Sequence, residues 1–194
     1  MPCPMIIMKY NPEIHHRRSV RLRNYDYSSS GVYFVTICTT GKACLFGTIT
    51  QGTMQLNDLG RIVDEEWRHT GTLRPDITLD AFVVMPNHVH GIIVVHDPRR
   101  GTARRAPTTA FGSSIPRSLS AIVGALKSAA SRRVNASRNT PGAPLWQRNY
   151  YEHVIRDERD MNAVREYIVI NPKGWDKDEE NPSVGARRTV PASS

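Results

Sequence analysis

Two histidines one residue apart, His88 and His90, sit in the run Val83-Val84-Met85-Pro86-Asn87-His88-Val89-His90-Gly91-Ile92-Ile93-Val94-Val95. β-branched apolar residues flank the pair, a composition that favours a strand. In a strand, residues i and i+2 share a face, so the imidazoles project side by side while Val89 turns away. Two imidazoles placed like that can share one divalent metal, since histidine is the commonest metal ligand. The pattern is short, and it equally describes two half-buried histidines near a strand edge, or solvated ones in a turn after Pro86. A second pair lies downstream. Tyr167 and Asn171 are four residues apart, which on a helix puts them on one face, one turn from each other. Asn171 can offer an amide oxygen to a metal, and Tyr167 a phenol to a phosphate held there. The bland readings are a core aromatic for Tyr167 and a helix C-cap for Asn171 before Pro172. Tyr150 and Tyr151 are rival nucleophiles by residue chemistry alone.

Charge points to the partner. The chain carries a net charge of +8 over 194 residues, but its distribution says more. Between Asp97 and Glu152 there is no acidic residue, while Arg99, Arg100, Arg104, Arg105, Arg117, Lys127, Arg132, Arg133, Arg138 and Arg148 fall there. The N-terminal arm adds Arg17, Arg18, Arg21 and Arg23 beside His15 and His16. Such blocks favour polyanions, because neutralising phosphates releases condensed counterions. Nucleic acid is therefore favoured over a merely solubilising surface, with Arg17, Arg18, Arg117, Lys127, Arg132, Arg133 and Arg148 as the contacts. A membrane partner is not expected, since no apolar run reaches the 18 or so residues of a spanning helix. No amphipathic helix with a large aromatic face accompanies the charge either. Cys3, Cys38 and Cys44 form no Cys-x-x-Cys pair. An odd, scattered set implies free thiols in a reducing compartment rather than a disulfide framework or zinc site, hence a cytoplasmic protein.

The elements that must position these groups follow from periodicity. Residues 1–30 read as a basic arm. Residues 31–40 alternate and are rich in Tyr, Phe, Val, Thr and Ile, so they form a strand. Gly41-Lys42 makes a turn, and 45–50 continue as extended chain. Asn57 caps a helix to about residue 69, with Leu59, Ile62, Val63 and Trp67 on one face. Residues 78–85 and 88–95 form an antiparallel pair. Residues 97–117, rich in Arg, Gly, Thr, Ser and Pro, read as a flexible basic loop. A second helix spans 119–134, a fourth core strand 146–155, and a third helix runs from the cap Asp157 to about Asn171, where Pro172 ends it. Residues 176–194 read as a disordered tail. This order is a ferredoxin-like α+β plan, an antiparallel βαββαβ sheet with an extra C-terminal helix.

Five short blocks occur in order: Tyr33-Phe34-Val35-Thr36-Ile37-Cys38-Thr39, Met85-Pro86-Asn87-His88-Val89-His90, Trp146-Gln147-Arg148, Ile155-Arg156-Asp157-Glu158 and Tyr167-Ile168-Val169-Ile170-Asn171-Pro172. Together they resemble the single-tyrosine HUH transposases, most closely the REP-associated tyrosine transposase branch, over residues 30–175. The resemblance implies the ferredoxin-like fold over 31–175, with the histidines on a central strand and the tyrosine on the last helix. It selects Tyr167 as catalytic nucleophile over Tyr150 and Tyr151. It also gives a metal set of His88, His90 and Asn171 for Mg²⁺ or Mn²⁺. The implied activity is nicking and joining of single-stranded DNA at hairpin-forming, REP-like repeats through a 5′-phosphotyrosine intermediate. The implied setting is a bacterial, nucleoid-associated cytoplasmic protein, monomeric or homodimeric. Two other readings stand beside it: a metal-dependent phosphodiesterase that releases product with water, and a domesticated hairpin-binding protein that needs no metal.

Overall fold

Alternation along β1 (Gly31–Cys38) organises the molecule, because each of its faces is buried against a different layer. A computed structural model describes residues 30–96 and 118–187. The basic arm with Arg17 and Arg18, and the 97–117 loop with Arg117, lie outside the described residues. The remaining elements are β2 (Gly47–Thr50), β3 (Thr53–Leu56), α1 (Asp58–Leu73), β4 (Ile77–Val84), β5 (His88–Val95), α2 (Leu119–Arg138), β6 (Tyr151–Ile155), α3 (Glu158–Ile170) and α4 (Pro182–Arg187). The main sheet has the order β4-β5-β1-β6, antiparallel throughout. That is the ferredoxin-like α+β arrangement with an added C-terminal helix.

On one face Tyr33, Val35, Ile37, Val89, Ile93 and Val95 pack against Val63 and Trp67 of α1 and Ile122, Val123, Leu126 and Ala130 of α2. On the other, Phe34, Ile92 and Ile155 pack against Ile168, Met161 and Val164 of α3. Helix α3 is fixed across the sheet at two points. Arg165 donates to both Asp80 carboxylate oxygens on β4 at 2.8 and 2.7 Å, and the His153 and Asp160 side chains meet at 2.9 Å beside β6. Its N-terminus is capped by Asp157, whose Oδ1 accepts from the Asp160 N–H at 2.8 Å.

The close approach of α1 to the sheet depends on Gly91. A Cβ there would lie 2.2 Å from the Trp67 ring, which is fully buried. Gly91→Ala should therefore cost about 1–3 kcal/mol of stability through overpacking. A urea unfolding midpoint that falls at unchanged m-value would report it.

Several elements differ from the sequence expectation. Helix α1 continues to Leu73, with the Thr70 and Thr72 hydroxyls donating back to the Glu66 and Arg68 carbonyls. Helix α2 runs to Arg138 and closes on Asn139 at φ +53°, a left-handed cap suited to Asn. Extended chain after residue 45 is half of a hairpin, β2–β3, whose turn places Gln51 and Gly52 at positive φ. Gln-Gly carries a weaker hairpin signal than Asn-Gly. The fourth core strand starts at Tyr151, and upstream of it only Trp146 bridges to Thr39. The expected tail is corrected most. After Pro172 the backbone continues as a 3-10 helix, Asn171–Lys177, then α4, held by the Asn181 side chain bonding Trp175 O and Ser183 N. Residues 188–194 lie outside the described residues.

Candidate metal centre and nucleophile

His88 and His90 occupy successive inward positions on β5, on the face covered by α3. Both are buried, their ring centroids are 4.4 Å apart, and their Nε2 atoms are 2.9 Å apart. Each outer nitrogen has a fixed partner. His90 Nδ1 lies 2.8 Å from Thr36 Oγ1 on the neighbouring strand, and His88 Nδ1 lies 2.8 Å from Asn87 Oδ1. The Asn87 amide orientation is set independently, because its Nδ2 donates to the carbonyls of Lys42 at 3.0 Å and Glu180 at 2.7 Å. Asn87 Oδ1 is therefore an acceptor, so His88 Nδ1 carries the proton and His88 Nε2 presents a lone pair. This is the tautomer a metal-binding histidine needs. Burial and then the Lys42 charge lower the His88 pKa to about 3. Burial and then His88 hold His90 well below the ordinary histidine value. Both imidazoles are thus neutral, the ligand form.

Tyr167 comes to this pair from α3. Its hydroxyl lies 3.3 Å from His90 Nε2, and its ring meets the His90 ring at a centroid distance of 5.2 Å. The phenol stands above its ordinary pKa through burial, then the Asp178 and Glu180 carboxylates, while the Asn171 amide pulls the other way. Tyr151, by contrast, rests edge-on against Phe34 at 6.3 Å. Tyr150 lies just before β6 and packs against the core of the opposite sheet face.

Asn171 follows α3 in helical geometry, one turn from Tyr167, and is buried. Its Nδ2 donates to Asp178 Oδ2 at 3.3 Å, which leaves its Oδ1 buried without a hydrogen-bond partner. Asp178 was not singled out from sequence. Its carboxylate and the His88 and His90 nitrogens lie within 4.8 Å of one another, so these three groups could hold a metal ion. Burial, chiefly, raises the Asp178 pKa. The available signal was a run of acids after Trp175, Asp176 to Glu180, in a chain otherwise rich in cations.

No protein-family model matches the chain. An uncharacterized protein of Haemophilus influenzae is 42% identical over 174 residues, covering 88% of this chain and 96% of that protein. A second protein of the same organism, assigned as a REP-associated tyrosine transposase, is 25% identical over 156 residues, covering 78% of this chain and 76% of that one. Among solved structures, a REP-associated tyrosine transposase bound to a REP hairpin superposes with a TM-score of 0.50 at 19% identity, over 80% of this chain and 73% of that chain. Sequence relative and fold agree. The chain resembles the REP-associated tyrosine transposases in sequence and in fold.

In this chain the cations expected to face nucleic acid divide by what already holds them. Arg133 is paired with Glu65 at 2.6 Å and Glu66 at 2.8 Å, tying α2 to α1. Lys127 Nζ donates to the carbonyls of Gln147 at 2.6 Å and Arg148 at 3.2 Å. Both have structural work in place of a free charge. Arg132 and Arg148 are exposed and in no ion pair among the described residues, and they line one groove.

Proposed function

We propose that the protein is a metal-dependent single-stranded DNA endonuclease and strand transferase that acts at hairpin-forming repeats, with Tyr167 as nucleophile. The observation that carries this reading is the Tyr167 hydroxyl 3.3 Å from His90 Nε2, at the centre of a buried donor set. Hairpin DNA as substrate is supported by the related transposase that was solved with a REP hairpin.

The residues present fit a divalent ion. Two neutral imidazoles and a carboxylate converge here, and Asn171, bonded to that carboxylate, carries a buried amide oxygen with no hydrogen-bond partner. His88, His90 and Asn171, with Asp178 beside them, would hold Mg²⁺ or Mn²⁺, ions served by mixed nitrogen and oxygen donors. When bound, the ion supplies Lewis acidity toward the scissile phosphate and a positive charge that opposes the raised phenol pKa. The chain supplies the rest. Helix α3, anchored through Arg165 and Asp160, holds the Tyr167 oxygen over the pair. That oxygen forms a bond to phosphorus as the bond from phosphorus to the 3′ oxygen breaks; the phenol loses its proton and the 3′ oxygen gains one. The phosphotyrosine keeps the energy of the broken bond, so rejoining needs no nucleotide cofactor.

Incubation with a 3′-labelled hairpin single strand and Mn²⁺ tests this directly. Label retained on the protein through denaturing electrophoresis is the expected result. Cleavage with no retained label would assign the protein to the water-using phosphodiesterases, and binding without cleavage to the hairpin-binding proteins.

The tautomer argument gives a separate prediction. Asn87→Ala removes the acceptor that keeps the His88 proton on Nδ1, so Mn²⁺ affinity should fall by about 10- to 100-fold, the usual cost of losing a residue that orients a metal-binding histidine. Calorimetric titration of Mn²⁺ into the variant measures it.

A further inference from the structure

Away from the metal centre, a groove of about 850 Å³ lies between the C-terminal half of α2 and the 139–148 segment. Its walls carry Arg132 and Arg148 with Ser131, Asn139 and Gln147, and no acidic residue lines it. The groove is pre-formed. The buried Asn135 donates to Ala143 O at 2.8 Å, Lys127 holds the Gln147 and Arg148 carbonyls, and Trp146 Nε1 donates to Lys127 O at 3.2 Å. These bonds fix the segment to the helix and leave the two arginines as the open charges.

The groove lies on the α2 side of the sheet, and the 148–151 segment leads from it to β6, the edge strand round which the reactive face is reached. Arg148 is three residues before Tyr151, so their Cα atoms are at most about 11 Å apart. Tyr151 is paired with Thr36 on β1, and Thr36 with His90 on β5. Three residues in one row across adjacent strands share a face, which puts the Tyr151 and His90 Cα atoms about 10 Å apart. Tyr151 is 37% exposed, and its ring rests edge-on against Phe34, which in turn meets Tyr167 edge-on at 6.0 Å. An exposed aromatic on a rigid strand is a platform for an unpaired base.

We infer that a single nucleic-acid strand runs from the Arg132–Arg148 groove to Tyr167, its phosphates held by the two arginines and one unpaired base stacked on Tyr151. This deepens, and rests on, the reading of the protein as an enzyme acting on single-stranded DNA. It gives Tyr151 a recognition role distinct from the nucleophile, and it separates Arg132 and Arg148 from the ion-paired Arg133.

The experiment is equilibrium binding of a fluorescent single strand of about 12 thymidines, within the span of known single-strand sites. It uses the full chain carrying Tyr167→Phe, so that no covalent chemistry enters. R132Q/R148Q should flatten the slope of log K against log salt by about 1.4, two phosphate contacts at roughly 0.7 each. R138Q, which removes an exposed arginine of the same helix that does not line the groove, should leave the slope in place. Tyr151→Ala should weaken binding roughly tenfold to a hundredfold, and Tyr151→Phe, which keeps the ring, should bind like the parent. All four positions are exposed, and circular dichroism of each variant verifies the fold. An unchanged slope in R132Q/R148Q, full affinity in Tyr151→Ala, or a parent that does not bind the strand at low salt would each overturn the track. If these binding effects appear while the wild-type chain forms no adduct with hairpin DNA, the track stands and the covalent mechanism falls.

Discussion

Tyr167→Phe is expected to abolish the protein–DNA adduct and to lower strand cleavage by about three orders of magnitude or more, the scale on which loss of a nucleophile is felt. The substitution deletes one oxygen. The ring keeps its edge contacts with His90 and Phe34, and the side chain is already 43% exposed, so packing changes little. The hydroxyl that goes is the group within 3.3 Å of His90 Nε2. Folding, hairpin affinity and metal affinity should therefore stay near those of the parent while turnover disappears. The measurement is retention of a 3′-label on the protein, because a 5′-phosphotyrosine keeps the downstream fragment. Tyr151→Phe is the informative partner: its ring lies on Phe34, two strands from His90, and the adduct should form normally. An adduct that survives Tyr167→Phe and is lost in Tyr151→Phe would exchange the two roles.

Much of this arrangement was legible in the residues, and the reasons are specific. Strand β5 announced itself because its apolar run is β-branched and bounded by Pro86, so the shared face of His88 and His90 followed from period two alone. Asn57, Ser118 and Asp157 each act as the N-cap of a helix. Two of these, Asn57 and Asp157, are legible from residue type alone. The resemblance to a known family supplied the choice of Tyr167 over its rivals, which periodicity could not.

What was not legible depends on long-range contact. Asp178 sits in a polar stretch with no periodic pattern, and its place beside the histidines arises from the 3-10 turn after Asn171 and from bonds made far away in sequence. Glu180 pairs with Lys42 at 3.0 Å, and its carbonyl is bonded by Asn87. Sequence composition likewise counted Arg133 and Lys127 as free cations. Only tertiary structure shows that Glu65 and Glu66 neutralise one and that backbone carbonyls occupy the other. A charge count overstates a binding surface whenever an acidic helix packs beside a basic one.

His88→Ala and His90→Ala should produce the second large effect, again about a thousandfold or more on metal-dependent cleavage, with strand affinity largely kept. Each removes a buried imidazole whose Nε2 lies 2.9 Å from the other's, so a divalent ion loses one of few convergent donors. The fall should track metal occupancy: raising Mn²⁺ should recover part of the activity of a single variant and none of the double variant. Binding should survive because the open arginines Arg132 and Arg148 line a groove on α2, in the layer opposite α3. A buried ring lost to alanine also costs stability, typically about 1–3 kcal/mol, so unfolding midpoints must accompany the kinetics to separate misfolding from chemistry. The cleaner arm is calorimetric. Wild type should bind Mn²⁺ with one site, Tyr167→Phe should match it, and the double histidine variant should show no binding at the same concentrations. Full cleavage by that double variant in Mg²⁺ or Mn²⁺ would remove the pair from the mechanism and leave the Thr36 and Asn87 contacts as structural polar packing.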